Sequence, residues 1–251
     1  MDRFSQIGFV QRINLEWLEN IANMVALGNN EDSINIALQE LLRNKVSIGG
    51  NAARGNRNIM ISILKKIWLK VPPEFDSFHK RALDLLNQLS LDQHIILHWG
   101  MSIATYPFLS VVAENTGRLL RLQGSASASQ VQRRLKEKYG ERETVSRAVR
   151  RILRNFVQWG VLVDTADLGV YSPSNSLKIT GEETISWLIE AVLHSTRNYR
   201  LPLKMAFETP MLFPFKLASI PSGTLANYGQ IEVISHDLNN ELITLKNEAH
   251  K

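Results

Sequence analysis

The sequence contains no cysteine. That excludes a disulfide framework, a thiolate zinc site and a cysteine nucleophile, and it fits a reducing compartment; a cytoplasmic location is expected. The opening Met1-Asp-Arg-Phe-Ser-Gln lacks the basic-then-apolar order of a signal peptide. Long apolar runs are also missing. The longest stretch without formal charge, Gln93–Ala113, carries His98, Ser102, Thr105, Tyr106 and Ser110, and Pro107 interrupts it. It reads as a buried helix pair, so no membrane partner is expected. No Gly-Lys-Ser/Thr follows the glycine-rich segment near residue 50, and no serine sits in a nucleophile-elbow sequence. No catalytic constellation emerges, and the chain is expected to be a non-enzyme without a cofactor.

Positive charge is abundant and unevenly placed. Residues 118–154 hold eleven Arg/Lys against three acids, and residues 43–70 hold seven basic residues and no acid. With a net charge of +5 for the whole chain, the remainder is strongly acidic. Two basic blocks on an acidic body point to one directional electrostatic face, although each block also fits a solvated helix surface.

The fold class expected is mainly α: an N-terminal helical bundle, then a helix-turn-helix with a small wing, then a C-terminal α+β segment with a hairpin. The corresponding boundaries are 1–124, 125–176 and 177–251. Leu15, Leu18, Ile21, Ala22 and Val25 recur at helical spacing, as do Ile34, Ala37, Leu38, Leu41 and Leu42. Val46–Asn58 reads as a loop, followed by a helix to about Lys70 that Pro72-Pro73 ends. Ser90-Leu-Asp-Gln93 and Thr180-Gly-Glu-Glu183 both read as capping boxes. Ser125–Ser129 is either a short linker or the first turn of the next helix. Gln230–Ser235 and Glu241–Leu245 read as a hairpin around Asp237–Asn240.

The densest chemistry lies in Val131–Trp159. Val131, Leu135 and Tyr139 share one helical stripe, so Gln132, Arg133, Arg134, Lys136 and Lys138 face outward. Gly140 permits a sharp turn, and Thr144 is the expected N-cap of a second helix. Val145, Ala148, Val149, Ile152, Phe156 and Trp159 form the buried stripe of that helix. Ser146, Arg147, Arg150, Arg151 and Arg154 fall on or near the other face. Val161–Asp164 and Gly169–Ser172 can pair around a tip that carries Asp164 and Asp167 but no Lys or Arg.

Ser127–Ser174 resembles a winged helix-turn-helix domain. The resemblance implies that the second helix enters a major groove. Thr144, Ser146, Arg147 and Arg150 would then lie nearest the bases, and Arg151 and Arg154 would meet phosphates. The outward-facing Arg133 and Arg134 are also expected to be DNA-binding. Arginine suits both tasks, because its planar fork matches guanine edges and phosphate oxygens. The acidic tip argues against a wing contact to DNA. Upstream, Asn51–Asn58 precedes a helix, and Arg54 and Arg57 with the free backbone N–H groups form a second candidate phosphate site. The other readings are that Arg54 and Arg57 extend a DNA-tracking surface begun by Arg147 and Arg154, or that the segment is a solvated loop. His94 and His98 stand one helical turn apart, but a core or interface role is favoured over metal binding, and no metal site is expected.

The overall plan also resembles BrxA, the small helical component of BREX-type phage-defence systems. The pattern is a run of helices, a basic Asn/Ala/Arg segment before a helix (Asn51–Arg57), and an Arg-rich helix-turn-helix (Val131–Trp159), within about residues 10–175. This implies a cytoplasmic, non-enzymatic accessory that binds double-stranded DNA and works beside other defence proteins. A winged-helix transcriptional regulator, or an adaptor docking an acidic protein through the same helix, remains open.

Overall fold

The structure is a computed structural model that describes residues 2–45, 55–235 and 241–246. Among the described residues it is mainly helical with three small sheets. In chain order the elements are α1 (Leu15–Ala26), α2 (Glu31–Leu41), α3 (Asn56–Trp68), α4 (Asp76–Gln88), α5 (His94–Thr105) and α6 (Pro107–Gln123). Then come β1 (Ala126–Ser127), α7 (Ala128–Tyr139), α8 (Glu143–Gln158), β2 (Leu162–Asp164), β3 (Val170–Pro173) and β4 (Leu177–Ile179). The chain closes with α9 (Glu182–His194), β5 (Arg200–Pro202), α10 (Leu203–Phe207), β6 (Phe215–Leu217), α11 (Ser222–Asn227), β7 (Ile231–Ser235) and β8 (Glu241–Leu245).

Helix α5 is the centre of the bundle. Nearly all its residues are buried, from His94 to Thr105, and it packs against α1, α3, α4, α6 and α9. Its start follows the expected box: the Ser90 and Gln93 side chains meet each other and the Ser90 N–H. Pro107 cannot continue the helix, and the chain turns by 116° into α6. Among the described residues, no single helix is long and apolar enough to cross a membrane.

After α6 the chain runs strand, helix, helix, strand, strand. β1 pairs antiparallel with β3, and β3 with β2, in the order β1-β3-β2. The segment around Ser127 is both a strand and a helix start. The Ser127 hydroxyl accepts from Gln130 N–H at 3.2 Å, and Gln130 reaches back to the Ser127 N–H at 3.3 Å, completing a capping box. Gly140, at φ 88°, makes the turn between α7 and α8.

Beyond residue 176 the expected hairpin β7–β8 is present, and β5 adds a third strand on the open edge of β8. β4 and β6 form a separate parallel pair. The expected cap at Thr180 does not form. Gly181 is the N-cap of α9 and no side chain caps it. One hydrophobic cluster runs from Phe9 to Ile243, so burial is continuous across the boundaries expected at 125 and 177.

Candidate nucleic-acid interface

Helix α8 has the amphipathic face that its sequence spacing predicts. Val145, Ala148, Val149, Ile152, Phe156 and Trp159 are all buried. Arg147 and Arg150 are exposed, and Arg151 and Arg154 are half-buried. Two expectations at its N-terminal end fail. The helix begins at Glu143 with Arg142 as the N-cap, because the Arg142 carbonyl already accepts from Val145 and Ser146 N–H. Thr144 therefore lies inside the first turn, where it is exposed and is not a cap. Ser146 is buried: α7 covers that flank, and Gln132 donates to the Ser146 carbonyl at 3.1 Å. It is not available to a base edge.

Four arginines of α8, namely Arg147, Arg150, Arg151 and Arg154, line a groove of about 1070 Å³. Its other walls are Gln11, Arg12 and Asn14 from the N-terminal segment, Lys45 and the start of α3, and the β2–β3 hairpin. The N-terminal wall is an extended strap bound along α8. Asn155 accepts from Ile13 N–H at 2.9 Å and donates to the Gln11 carbonyl at 3.0 Å. The Trp159 indole donates to the Ile13 carbonyl at 2.8 Å, and Gln158 accepts from Leu15 N–H at 3.1 Å. Arg151 donates to the Val10 carbonyl. Positions 151, 155 and 158–159 recur at helical spacing, so one flank of α8 satisfies the strap's backbone while the adjacent flank faces the groove.

The arginines differ in how far their charge is already answered. Arg150 pairs with Glu143 at 2.9 Å, and Arg154 with Asp164 at 2.5 Å. Burial works against the charge of Arg154, but Asp164 and then Tyr171 raise its pKa. Asp164 therefore serves as an internal partner of the ridge. Arg151 goes the other way: burial first, then the charges of Arg147 and Arg12, lower its pKa. Arg147 has no acidic partner among the described residues. Arg12, Arg147 and Arg151 thus form a cluster of like charge open to the groove, which an anion would relieve.

The remaining predicted residues fall outside this groove. Arg133 is exposed and Arg134 half-buried on α7, and neither lines it. Arg57 turns away to donate to the Arg43 carbonyl at 3.0 Å. Arg54, with the rest of the first half of the Asn51–Asn58 segment, lies outside the described residues. Asn56 of that segment does line the groove. Arg12 and Lys45 were missed by sequence reasoning. Lys45 belongs to a basic block that gave a signal, whereas Arg12 sits in a segment with no periodicity to reveal its place.

The pair His94 and His98 is resolved by a residue distant in sequence. Glu19 on α1 meets His94 Nδ1 at 3.0 Å and His98 Nε2 at 2.9 Å. His98 is fully buried and packs edge-on against Trp68. This is a core network joining α1 to α5, and among the described residues no cluster has the makings of a metal site. A comparison with protein-family models, characterised proteins and solved structures gave no match to this chain.

Proposed function

We propose that the chain is a non-enzymatic protein that binds double-stranded DNA, with α7, α8 and the β2–β3 hairpin serving as a winged helix. The helix–strand–helix–helix–strand–strand order and the β1-β3-β2 sheet support that arrangement. The observation that carries the reading is the cluster of Arg12, Arg147 and Arg151, without an acidic partner among the described residues, in a groove of about 1070 Å³. Arg147 is the residue best disposed to read a base edge, and Arg12 and Arg151 to hold phosphate. The setting, an accessory of a bacterial BREX-like defence system, rests on the sequence resemblance alone.

The test is a duplex-DNA titration at several salt concentrations. About four phosphate contacts predict a log–log slope of roughly −3.6. Replacing Arg12 and Arg147 together with Ala should weaken binding on every sequence and flatten the slope by roughly 2. An unchanged slope would remove the groove from the account. One observation favours a protein partner instead. The hairpin tip presents a fully exposed Leu168 beside Asp167, a surface phosphates would repel. Binding to a protein partner, with none to DNA, would select the adaptor reading.

A further inference from the structure

The basic block at residues 43–70 is only partly absorbed by the arginine groove. Lys65, Lys66 and Lys70 line a separate cavity of about 560 Å³ between α2 and α3, together with Asn35, Gln39 and Asn58. Helical spacing and two contacts fix this seam. Glu31, Asn35 and Gln39 recur every four residues on α2, and Asn58 and Lys65 stand seven apart on α3. Gln39 donates to Asn58 at 2.9 Å at one end, and Lys65 donates to Glu31 at 2.6 Å at the other. Asn35 lies between the two contacts. At the Glu31 end a single oxygen, Oε1, takes both the Lys65 and the Lys70 ammonium at 2.6 Å each. Hydrogen bonds from Lys65 and then Lys70 lower the Glu31 pKa. Two ammoniums thus converge on one oxygen position, while one carboxylate answers only one of their charges. Lys66 has no acidic partner among the described residues. Its ammonium stands 5.0 Å from the Tyr106 ring centre, and burial, then the charge of Arg3, lower its pKa. Three ammoniums against one exposed carboxylate leave the cavity with an excess of positive charge.

We propose that this cavity binds a small anion carrying two adjacent phosphoryl groups: an oxygen of the first takes the position held by Glu31 Oε1 between Lys65 and Lys70, and the second meets Lys66. The Asn35 amide, midway along the seam, donates to the bound anion. Glu31 is an internal placeholder, since an exposed ion pair exchanges readily for another anion. A tetrahedral phosphoryl group offers more oxygens to these donors than a carboxylate does. Lysine suits it as a rotatable point charge, whereas no arginine fork is present among the lining residues to select a planar carboxylate. The volume falls in the range of small-molecule sites. The site is independent of the DNA reading.

The test is calorimetric titration of the full chain at low ionic strength with inorganic pyrophosphate, orthophosphate and citrate. Pyrophosphate should bind about tenfold more tightly than orthophosphate, and citrate more weakly than pyrophosphate. Lys66→Gln should remove the preference for pyrophosphate over orthophosphate. Lys65→Gln with Lys70→Gln should weaken both phosphates about tenfold or more. Glu31→Gln should tighten pyrophosphate binding, because it removes the competing charge and keeps an acceptor for one lysine. Adenosine diphosphate binding more tightly than pyrophosphate would identify a nucleotide as the source of the two phosphoryl groups, and equal affinity the free anion. Replacing Arg12 and Arg147 with Ala should leave pyrophosphate affinity unchanged, which separates this cavity from the groove. No binding of pyrophosphate, citrate binding as tightly, weaker binding in Glu31→Gln, or a loss that follows the arginine variant and not the lysine variants would overturn the proposal. So would an equal loss of duplex DNA binding in Lys65→Gln with Lys70→Gln, which would assign these lysines to the DNA surface.

Discussion

Arg147 and Arg150 stand three positions apart on the same helix, yet their charges are not equally available. Arg150 shares its charge with Glu143 at 2.9 Å, across an exposed pair. Such pairs hold by about 0–1 kcal/mol, so a phosphate can displace the carboxylate but must offset its loss. Arg147 has no such competitor and is crowded by Arg151. Arg147→Ala is therefore expected to weaken duplex binding about tenfold and make the salt slope less negative by about 1. Arg150→Ala should cost less. Glu143→Gln should act in the opposite direction and tighten binding, because it releases the Arg150 guanidinium. Fluorescence-anisotropy titrations of the three variants at several salt concentrations decide this. Equal losses for Arg147→Ala and Arg150→Ala, with no gain in Glu143→Gln, would contradict the ranking.

Among elements, the strap at residues 9–14 determines where Arg12 stands, and α8 determines where the strap lies. Asn155 is 1% exposed and satisfies one N–H and one carbonyl of that strap. Asn155→Leu keeps the volume roughly but leaves both groups buried and unpaired, a loss of about 2–4 kcal/mol. In a chain of this size that lowers the Tm by roughly 5–15 °C. DNA affinity should fall with it, since Arg12 loses its support. A thermal scan with unchanged Tm would show that the clasp does not hold the strap. The same element marks the limit of what sequence conveys. The α8 stripe, the Gly140 turn and both hairpins were legible because their signals are local, in periodicity and turn residues. Ser146 was misassigned because the packing of α7 over one flank of α8, and not periodicity, buries it. The strap left no signal, since an extended run has no helical period and its partners lie about 140 residues away. β5 and the β4–β6 pair were missed for the same reason.

At the scale of the whole molecule, the first helix is tied to the central helix through one carboxylate. Burial would raise the pKa of Glu19, but hydrogen bonds from His98, Asn23 and His94 bring it down to about 2. A carboxylate depressed in the folded state contributes stability that is fully present above its ordinary value near 4.5 and is lost as pH falls toward 2. His98 acts in the same sense. Burial first, against the pull of Glu19, lowers its pKa, so the unfolded chain takes up that proton more readily below about pH 6.5. Both groups thus place the weak side of the stability curve in acid, and opening there should begin by parting α1 from α5. Since α1 continues directly from the strap that carries Arg12, acid should also loosen the groove's N-terminal wall. Glu19→Gln removes the titrating carboxylate while keeping an acceptor toward the histidines. Its Tm should be lower than that of the parent at pH 7, by roughly 3–8 °C for a loss of about 1–2 kcal/mol, and the two curves should converge as pH falls through 4 toward 3. Circular-dichroism melts of both proteins from pH 3 to 7 measure this, and parallel curves with a constant offset would show that Glu19 is not the group the acid limb reports.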